Sequence, residues 1–256
     1  NRASKPFVKL VERYLPDPYI FVLLLTLITF AFAVVIQEQT PLTTIQQWGD
    51  GFWGLLTFSM QMLLVLVTGF MLACTPLVKT LLESLARLAK SPGSAIVLVT
   101  LVSLTASWIN WGFGLVVGAL FAKALARKVS VDYRLLVASA YSGFVVWHGG
   151  LAGSVPLTIA TPGHFSEAQI GVIGTSETIF SGFNLLLLAI MFVVIPLVNR
   201  LMLPPKSESV IVDTTKLQDD ALPSATNERP ADKLENSKAL GLLVGFAGLA
   251  YLANYF

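Results

Sequence analysis

Residues 107–118 read SWINWGFGLVVG, and they separate two apolar runs at 95–105 and 115–125. An amide, two tryptophans and two closely spaced glycines are unfavourable in a helix that only crosses lipid, since each glycine costs about 1 kcal/mol of helix propensity. Non-helical backbone at membrane depth survives only where protein or a water-filled cavity surrounds it. The stretch therefore predicts a broken helix that lines a site. Close packing of helices through the glycines is the alternative.

The composition is that of an integral membrane protein. Of the 256 residues, 55% are hydrophobic and 12% are charged, whereas soluble proteins average about 25% charged residues. Several apolar runs approach the roughly 20 residues that a membrane span requires. The net charge is only +2, and the cations lie in short loops beside apolar runs. This arrangement is typical of topology signals and not of a nucleic-acid surface.

Lysine and arginine flank the apolar runs unevenly, and the positive-inside rule converts this asymmetry into a topology. The basic, amphipathic residues 1–18 are predicted to be cytoplasmic. A membrane domain at 19–203 is predicted to follow them. It comprises spans at 19–36, 51–73, 133–162 and 178–203, a re-entrant hairpin at 94–127 and an interfacial helix at 77–90. A cytoplasmic linker at 204–238 and the start of a further span at 239–256 complete the chain as given. The predicted fold class is an all-α membrane protein whose loop at 37–49 is external.

Length and charge together predict the hairpin. Its arms, residues 94–110 and 115–127, are each about 20–25 Å long at 1.5 Å per residue, which is less than the ~30 Å hydrocarbon core. Lys123 and Arg127 lie in the last part of the second arm, and Lys128 follows it directly. A full crossing would place these cations outside the cell, against the positive-inside rule. A re-entrant hairpin keeps both ends cytoplasmic, with its tip near the middle of the membrane.

A second interruption follows in residues 148–156, which read HGGLAGSVP. The helix predicted from residue 133 to 147 cannot pass regularly through three glycines, a serine and a proline. Two interrupted segments that meet near the midplane are typical of secondary transporters, in which two inverted repeats bind the substrate at their interface. The chain stops inside an apolar segment, so we expect it to be the first half of a longer inverted-repeat protein, with a missing C-terminal half as its partner.

Several motifs combine polar residues and glycines in a specific way. They are YLPDP at 14–18, WGDGFW at 48–53, INWGFGLVVGA at 109–119, GG at 149–150 with GS at 153–154, ATPG at 160–163 and FSGFN at 180–184. With these motifs the chain resembles the short-chain fatty acid transporter family, of the acetoacetate/butyrate permease type, within the ion transporter superfamily. The resemblance implies uptake of short-chain carboxylates across the bacterial inner membrane. It does not establish the coupling ion.

A small carboxylate with an apolar tail would need hydrogen-bond donors and an apolar wall. Backbone N–H groups at half-helix N-termini and hydroxyl or amide groups bind carboxylates well. The candidate substrate-binding residues are Ser107, Asn110, Trp111, Gly112 and Gly114 at the hairpin tip, and Gly149, Gly150, Gly153, Ser154, Thr158 and Thr161 at the second break. Trp111, Phe113 and Trp147 are candidates to pack against the acyl tail.

No lysine or arginine lies at the depth of the tip, so a co-bound cation or a residue of the other half is expected to neutralise the carboxylate. The oxygen of Asn110, together with free carbonyl groups, is suited to Na⁺. His148 is the alternative, for H⁺, because histidine gains and loses a proton near neutral pH. A neutral His148 that is hydrogen-bonded to a free carbonyl remains the structural alternative. No other cofactor and no metal site is indicated.

Other function classes are weaker. The chain has two histidines, one cysteine and no intramembrane pair of acids, so it is not predicted to be an enzyme. A dyad of Ser154 and His148 would lack a third, orienting group. A passive channel, or a transporter of a different small anion, is the alternative function. The expected partners are a short-chain carboxylate and the lipid bilayer, with no nucleic acid, and homo-oligomerisation is left open.

Overall fold

The structure is a computed structural model that describes residues 18–54, 56–164, 166–217 and 237–255. All regular elements in these ranges are helical. The α-helices are α1 (Pro18–Val35), α2 (Pro41–Gly54), α3 (Leu56–Ala73), α4 (Pro76–Ala86), α5 (Pro92–Ile109), α6 (Trp111–Ala126), α7 (Tyr133–Ser142), α8 (Ser154–Ile159), α9 (Glu167–Ile170), α10 (Gly182–Leu201) and α11 (Lys238–Tyr255), and 3₁₀ helices cover Gly143–Gly149, Lys206–Glu208 and Thr214–Leu217. Most of the predicted N-terminal segment (1–17) and of the linker (218–236) lies outside the described residues.

Several helices begin at a polar cap that the sequence supplies. Ser91 and Ser94 cap each other's backbone reciprocally at the start of α5, where Pro92 occupies the first helical position. Thr75 precedes Pro76 in the same way at the start of α4. A side-chain oxygen satisfies an N–H group that has no partner within the helix, and proline has no N–H to satisfy. These short motifs therefore set where the apolar helices start.

The described helices include several that are long and apolar enough to cross a membrane. These are α5, the segment Tyr133–Ile159 and α10. A fourth candidate is a pair bent by 64°, Met62–Ala73 with Pro76–Ala86. Large apolar side chains are exposed along α1, α3 and α10, which a water-soluble surface would not tolerate over such an area. The protein is therefore a membrane protein.

The first decisive stretch forms two helices that fold back on each other. Only Asn110 separates α5 from α6, and its backbone is extended, with φ −155° and ψ 127°. A methyl group on Gly114 would lie 2.5 Å from Ser107 Cα, and one on Gly118 would lie 3.1 Å from Ser103 Oγ. Residues that are progressively farther from Asn110 on both sides thus face each other, as in an antiparallel hairpin.

The hairpin arms differ from the predicted ones in length. Helix α5 has 18 residues, or about 27 Å at 1.5 Å per residue, which is close to the ~30 Å hydrocarbon core. The capping box starts α5 at Pro92, two residues before the predicted arm, and α5 ends one residue before it, at Ile109, so that α5 is one residue longer than predicted. Length alone therefore no longer separates a re-entrant arm from a full span. The re-entrant placement stays a prediction that rests on charge.

Two other boundaries differ between the sequence-based expectation and the structure. The stretch 37–49, predicted as a loop, is helical from Pro41 onward, because a proline at the first turn starts α2 within a polar segment. The second interruption is shorter than predicted: the chain stays helical to Gly149 through a 3₁₀ helix, and α8 resumes at Ser154. Pro156 lies in the first turn of α8, where a missing N–H costs nothing.

Buried side chains pack the hairpin against the segment Tyr133–Ile159, which we call the interrupted span, and against α10. Leu104, Val146 and Leu188 are buried together, with Trp108 and Phe192 packed against them. Toward the other end of α10, a polar contact links the same three elements. The buried amide of Asn199 donates to Thr100 Oγ1 at 3.1 Å and to Ser142 Oγ at 2.8 Å. Hydrogen bonds of this kind hold membrane helices together with about 0.6 kcal/mol on average.

The described chain divides into two units. Helices α1 to α10 belong to the first, which ends at Lys216. The second contains α11, an apolar helix of 18 residues. The candidate site lies entirely within the first unit.

Candidate substrate-binding site

The hairpin tip and the second interruption are in direct contact. Leu151 N donates to the Trp108 carbonyl at 2.7 Å. A methyl group on Gly150 would lie 2.9 Å from Trp108 Cα, so only glycine allows this approach. The interruption therefore pairs with the last turn of α5. The two breaks that the sequence singled out meet in the structure.

Aromatic rings line this junction. Trp111 lies 5.6 Å from Trp147 between ring centroids, and Phe144 lies 4.9 Å from Trp147. His148 stacks on Trp147 at 4.0 Å. The structure thus brings together Trp111 and Trp147, which the sequence proposed as apolar walls, and adds Phe144 to them. The rings form a continuous apolar surface that ends at the imidazole.

Asn110 is engaged as a helix cap. Its Oδ1 accepts a hydrogen bond from Phe113 N at 3.0 Å, at the N-terminus of α6. On the same side, a methyl group on Gly112 would lie 3.1 Å from Val65 O, and one on Gly69 would lie 2.6 Å from Phe113 N. Helix α3 therefore covers the tip closely. Gly112 and Gly114 serve helix packing in this structure, which is the alternative that the sequence left open.

Ser107 is also part of the packed interior. Its side chain is 1% exposed, and within the described residues its Oγ has no hydrogen-bond partner. The indole N–H of the neighbouring Trp108 is likewise buried without a partner there. Gly114 occupies the space next to Ser107. A substrate that reached this hydroxyl would first have to separate α5 from α6.

A cleft opens where the interruption meets the first turn of α10. Its volume is about 270 Å³, and its lining is His148, Gly149, Pro156, Glu177, Thr178, Ile179, Ser181, Phe183 and Asn184. Drug-sized ligands occupy pockets of about 300–1,000 Å³, so this volume suits a smaller molecule. His148 and Glu177 are both exposed there. Of the predicted site residues, the cleft contains His148 and Gly149.

Asn184 organises this cleft. Its Nδ2 donates to Gly149 O at 3.0 Å and to Ile179 O at 2.7 Å. One amide thus satisfies a carbonyl freed by the interruption and another freed by the turn before α10. A methyl group on Gly149 would collide with the Asn184 side chain at 2.6 Å from Oδ1. The amide and the glycine therefore fix the width of the cleft together.

Sequence reasoning did not include Asn184, Glu177 or Ser181 among the site residues. A usable signal was present in the motif at 180–184. Ser181 accepts a hydrogen bond from Asn184 N at 3.3 Å and caps α10, and serine three residues before a polar residue is typical of a helix start. An amide inside an apolar span also requires a partner. The carbonyl partner in the interruption, however, is 35 residues away in sequence.

The remaining predicted donors point elsewhere. Thr158 Oγ1 donates to Ser154 O at 2.6 Å, and Thr161 Oγ1 donates to Leu157 O at 2.8 Å. Both hydroxyls are exposed and their hydrogens are used within α8 and its C-terminal turn. Gly153 closes the interruption, with its N–H on Gly150 O at 3.0 Å. Ser154, Thr158 and Thr161 do not line the cleft.

The electrostatic character of the cleft follows from its lining, which has no lysine or arginine among the residues that the structure describes. A carboxylate there would face the exposed side chain of Glu177 and the imidazole of His148. It would also face the first turn of α10, a 20-residue helix. The partial positive charge at a helix N-terminus stabilises an anion by roughly 0.3–1 kcal/mol at exposed sites. The helix and His148 favour an anion, while Glu177 opposes it.

Comparisons with known proteins agree on one family. The model that describes the short-chain fatty acid transporter family matches residues 1–256. A protein of Escherichia coli strain K12, provisionally named as a short-chain fatty acid transporter, is 47% identical over the whole chain, which covers 59% of that protein. A Haemophilus influenzae protein with the same name is 40% identical over the whole chain, which covers 60% of it. The chain thus spans about three fifths of the length of these relatives, and no solved structure matches it.

Proposed function

Because the chain belongs to the short-chain fatty acid transporter family, we propose that it forms part of a secondary active transporter for short-chain carboxylates such as acetoacetate and butyrate. The family is named for transport and not for catalysis. The proposed location is the bacterial inner membrane with a cytoplasmic N-terminus, in agreement with the basic loops of the sequence. The proposed mechanism is alternating access, with this chain as one of two inverted repeats.

The cleft beside Asn184 is the proposed site of the carboxylate, next to the contact between the hairpin tip and the interrupted span. The observation that carries this assignment is the lining: a helix N-terminus, an imidazole and apolar surfaces converge on about 270 Å³. Phe183, Pro156 and Ile179 would pack against the short acyl tail. Backbone N–H groups of the first turn of α10 would face the carboxylate, as helix N-termini do in other anion sites.

A cation is proposed to accompany the substrate. Glu177 lies in the same cleft, and two carboxylates at close range repel each other unless a positive charge or a proton is shared. His148 is the group that can supply this proton. Asn110 is a weaker candidate for cation binding because its oxygen already caps α6. We therefore favour H⁺ over Na⁺ as the coupling ion. The proton would enter the cell together with the carboxylate, by symport.

The test is uptake of labelled butyrate and acetoacetate into proteoliposomes that contain the full-length parent protein. A pH gradient and a Na⁺ gradient are imposed separately. We expect uptake with the pH gradient alone, and we expect His148→Gln to uncouple it. His164→Gln is the matched control, because His164 is the other histidine and does not line the cleft.

Three outcomes would contradict the proposal in different ways. Uptake that only the Na⁺ gradient drives would retain the transporter and exclude proton coupling through His148. Equilibrative flux that neither gradient accelerates, at rates far above carrier turnover, would identify a passive channel. Saturable uptake of another small anion but of neither acid would retain the transporter and replace the substrate.

A further inference from the structure

A second cleft lies at the opposite end of the interrupted span, where α5 and α7 begin and α10 ends. Its volume is about 730 Å³. Lys90, Lys128 and Lys206 line it, and among the described lining residues Asp132 provides the single carboxylate. Apolar side chains such as Leu203 and Ile211 form part of its walls. We call it the basic cleft.

The carboxylate does not neutralise the three lysines, because it is one charge against three and is already paired with Arg134. Asp132 Oδ1 accepts from Leu135 N at 2.9 Å, and Oδ2 accepts from Arg134 Nη2 at 2.9 Å and Val210 N at 2.8 Å. A further cation lies close by, since a methyl group on Gly93 would be 3.3 Å from Arg200 Nε. The basic cleft therefore has an excess of positive charge.

Hydrogen bonds hold the lysine-bearing segments in place. Lys128 Nζ donates to Glu83 O at 3.0 Å, which ties the end of the hairpin to α4. Tyr133 N donates to Val210 O at 2.9 Å, and Arg134 Nη2 donates to Glu208 O at 3.1 Å. These contacts fix the segment after α10, which carries Lys206. Three separate parts of the chain thus present their lysines to one space.

We propose that the basic cleft binds the phosphate of an anionic phospholipid headgroup. Basic pockets between membrane helices on the cytoplasmic side bind such headgroups, and each cation near the surface contributes to their attraction. Helices α5 and α10, both long enough to cross the membrane, begin and end at this cleft, which is where headgroups lie. The apolar walls suit the glycerol and the first part of the acyl chains, which a free phosphate lacks.

A bound headgroup would join the two ends of the hairpin to the segment after α10, since Lys90 precedes α5, Lys128 follows α6 and Lys206 follows α10. The inference requires that α5 and α10 enter the membrane, and it does not require that the protein transports carboxylates. Lipid binding can therefore be measured without any transport assay.

The experiment uses the full-length parent protein, delipidated in detergent, and native mass spectrometry to count bound lipid. The probes are dioctanoylphosphatidylglycerol, dioctanoylphosphatidylcholine and inorganic phosphate. We expect the anionic lipid to bind in preference to the zwitterionic one, and the double variant Lys90→Gln/Lys206→Gln to weaken this binding about tenfold or more. Both side chains are exposed, so their replacement is compatible with folding.

The control is Lys79→Gln/Lys238→Gln, which removes the same charge from positions outside the basic cleft. It should bind the anionic lipid as the unmodified protein does. Equal binding by the two double variants would overturn the proposal. Displacement of the lipid by millimolar inorganic phosphate, or phosphate binding that depends on the same lysines, would instead identify a soluble phosphate as the ligand and overturn the lipid assignment.

Discussion

The two interruptions of this chain contain similar residues and are built differently. At the hairpin tip a single residue, Asn110, leaves the helix, and its side chain caps the next helix at once. At the second interruption four residues, 150–153, lie between the 3₁₀ helix and α8. Backbone groups in and beside this segment bond to α5 and α10: Leu151 N donates to the Trp108 carbonyl, and the Gly149 carbonyl accepts from Asn184 Nδ2. The polar groups of the first break are satisfied within the hairpin, whereas those of the second break bond to residues of neighbouring helices.

Glycines mark both breaks, and their surroundings decide what they do. Gly112 and Gly114 contact α3 and α5 so closely that a methyl group would clash or be tightly confined. Gly149 lies beside an open cleft and is confined by one amide. The hairpin tip thus holds α3, α5 and α6 together, and the second interruption borders the cleft that a ligand can enter.

The largest effect is expected from Gly114→Val. The added side chain would overlap the backbone of Ser107, since even its first carbon would lie 2.5 Å from Ser107 Cα. The hairpin would have to open, and overpacking of a core costs about 1–3 kcal/mol or more. We expect loss of most folded protein, measured as the monodisperse fraction in detergent and as the thermal unfolding temperature.

The control is Gly245→Ala in α11, where an added methyl group would have no described atom within 4 Å other than those of its chain neighbours and the helix's own backbone. That substitution should leave stability unchanged or slightly raised, since alanine favours helix. Wild-type stability and uptake of Gly114→Val would show that the arms of the hairpin are not packed as described.

The next effect is expected from Asn184→Leu, which removes the donor to Gly149 and Ile179 without a large change in volume. Two carbonyls at the cleft would lose their partner, and the interruption would no longer be held at its present width. We predict that butyrate uptake per folded protein falls at least tenfold, as a displaced binding group commonly causes. The measurement is initial uptake into proteoliposomes, normalised to protein that elutes as a single species.

Asn199→Leu provides a matched comparison on the same helix. It removes a buried amide that bonds Thr100 and Ser142, far from the cleft lining. It should lower stability by about 1 kcal/mol and leave normalised uptake within about twofold of wild type. If the two variants lose uptake equally, Asn184 has no special role at the cleft.

A smaller effect is expected at Asn110, and the choice of substitution separates its two interpretations. As a cap, Asn110 can be replaced by Ser or Asp, and Asn110→Ala should cost about 1 kcal/mol of stability. As a cation ligand, which was one of the two possibilities that the sequence left open, it would not tolerate serine without loss of transport. We predict that Asn110→Ser retains both stability and normalised uptake. If a stable Asn110→Ser variant had no uptake, the result would support the hypothesis that Asn110 binds the coupling cation at the hairpin tip.

The sequence predicts those features that arise from nearby residues. The membrane class and the reversal near Asn110 follow from local glycines, amides and apolar runs. The partners of Asn184 and Asp132 do not, since Val210 is 78 residues from Asp132. The capping box that lengthens α5 was visible as Ser91 and Ser94, but its effect on arm length needs the helix boundary itself. Contacts between distant segments therefore account for most of what the sequence left open.

The smallest effect concerns Asp132, in the loop that joins the hairpin to the interrupted span. Burial raises its pKa, but hydrogen bonds from Arg134, Val210 and Leu135, with the charge of Arg134, together bring the pKa below its ordinary value. The folded state therefore binds this proton less readily than the unfolded state does. The resulting stability is complete above the unfolded pKa of about 4 and is lost as pH falls through the lower folded value.

Asp132→Asn should lower the stability at pH 7 by about 0.5–1 kcal/mol and flatten its dependence on pH below 4, measured by thermal unfolding. Arg134→Gln should retain part of the pH dependence, because the backbone donors remain, and an unchanged pH profile in Asp132→Asn would show that another carboxylate governs acid stability.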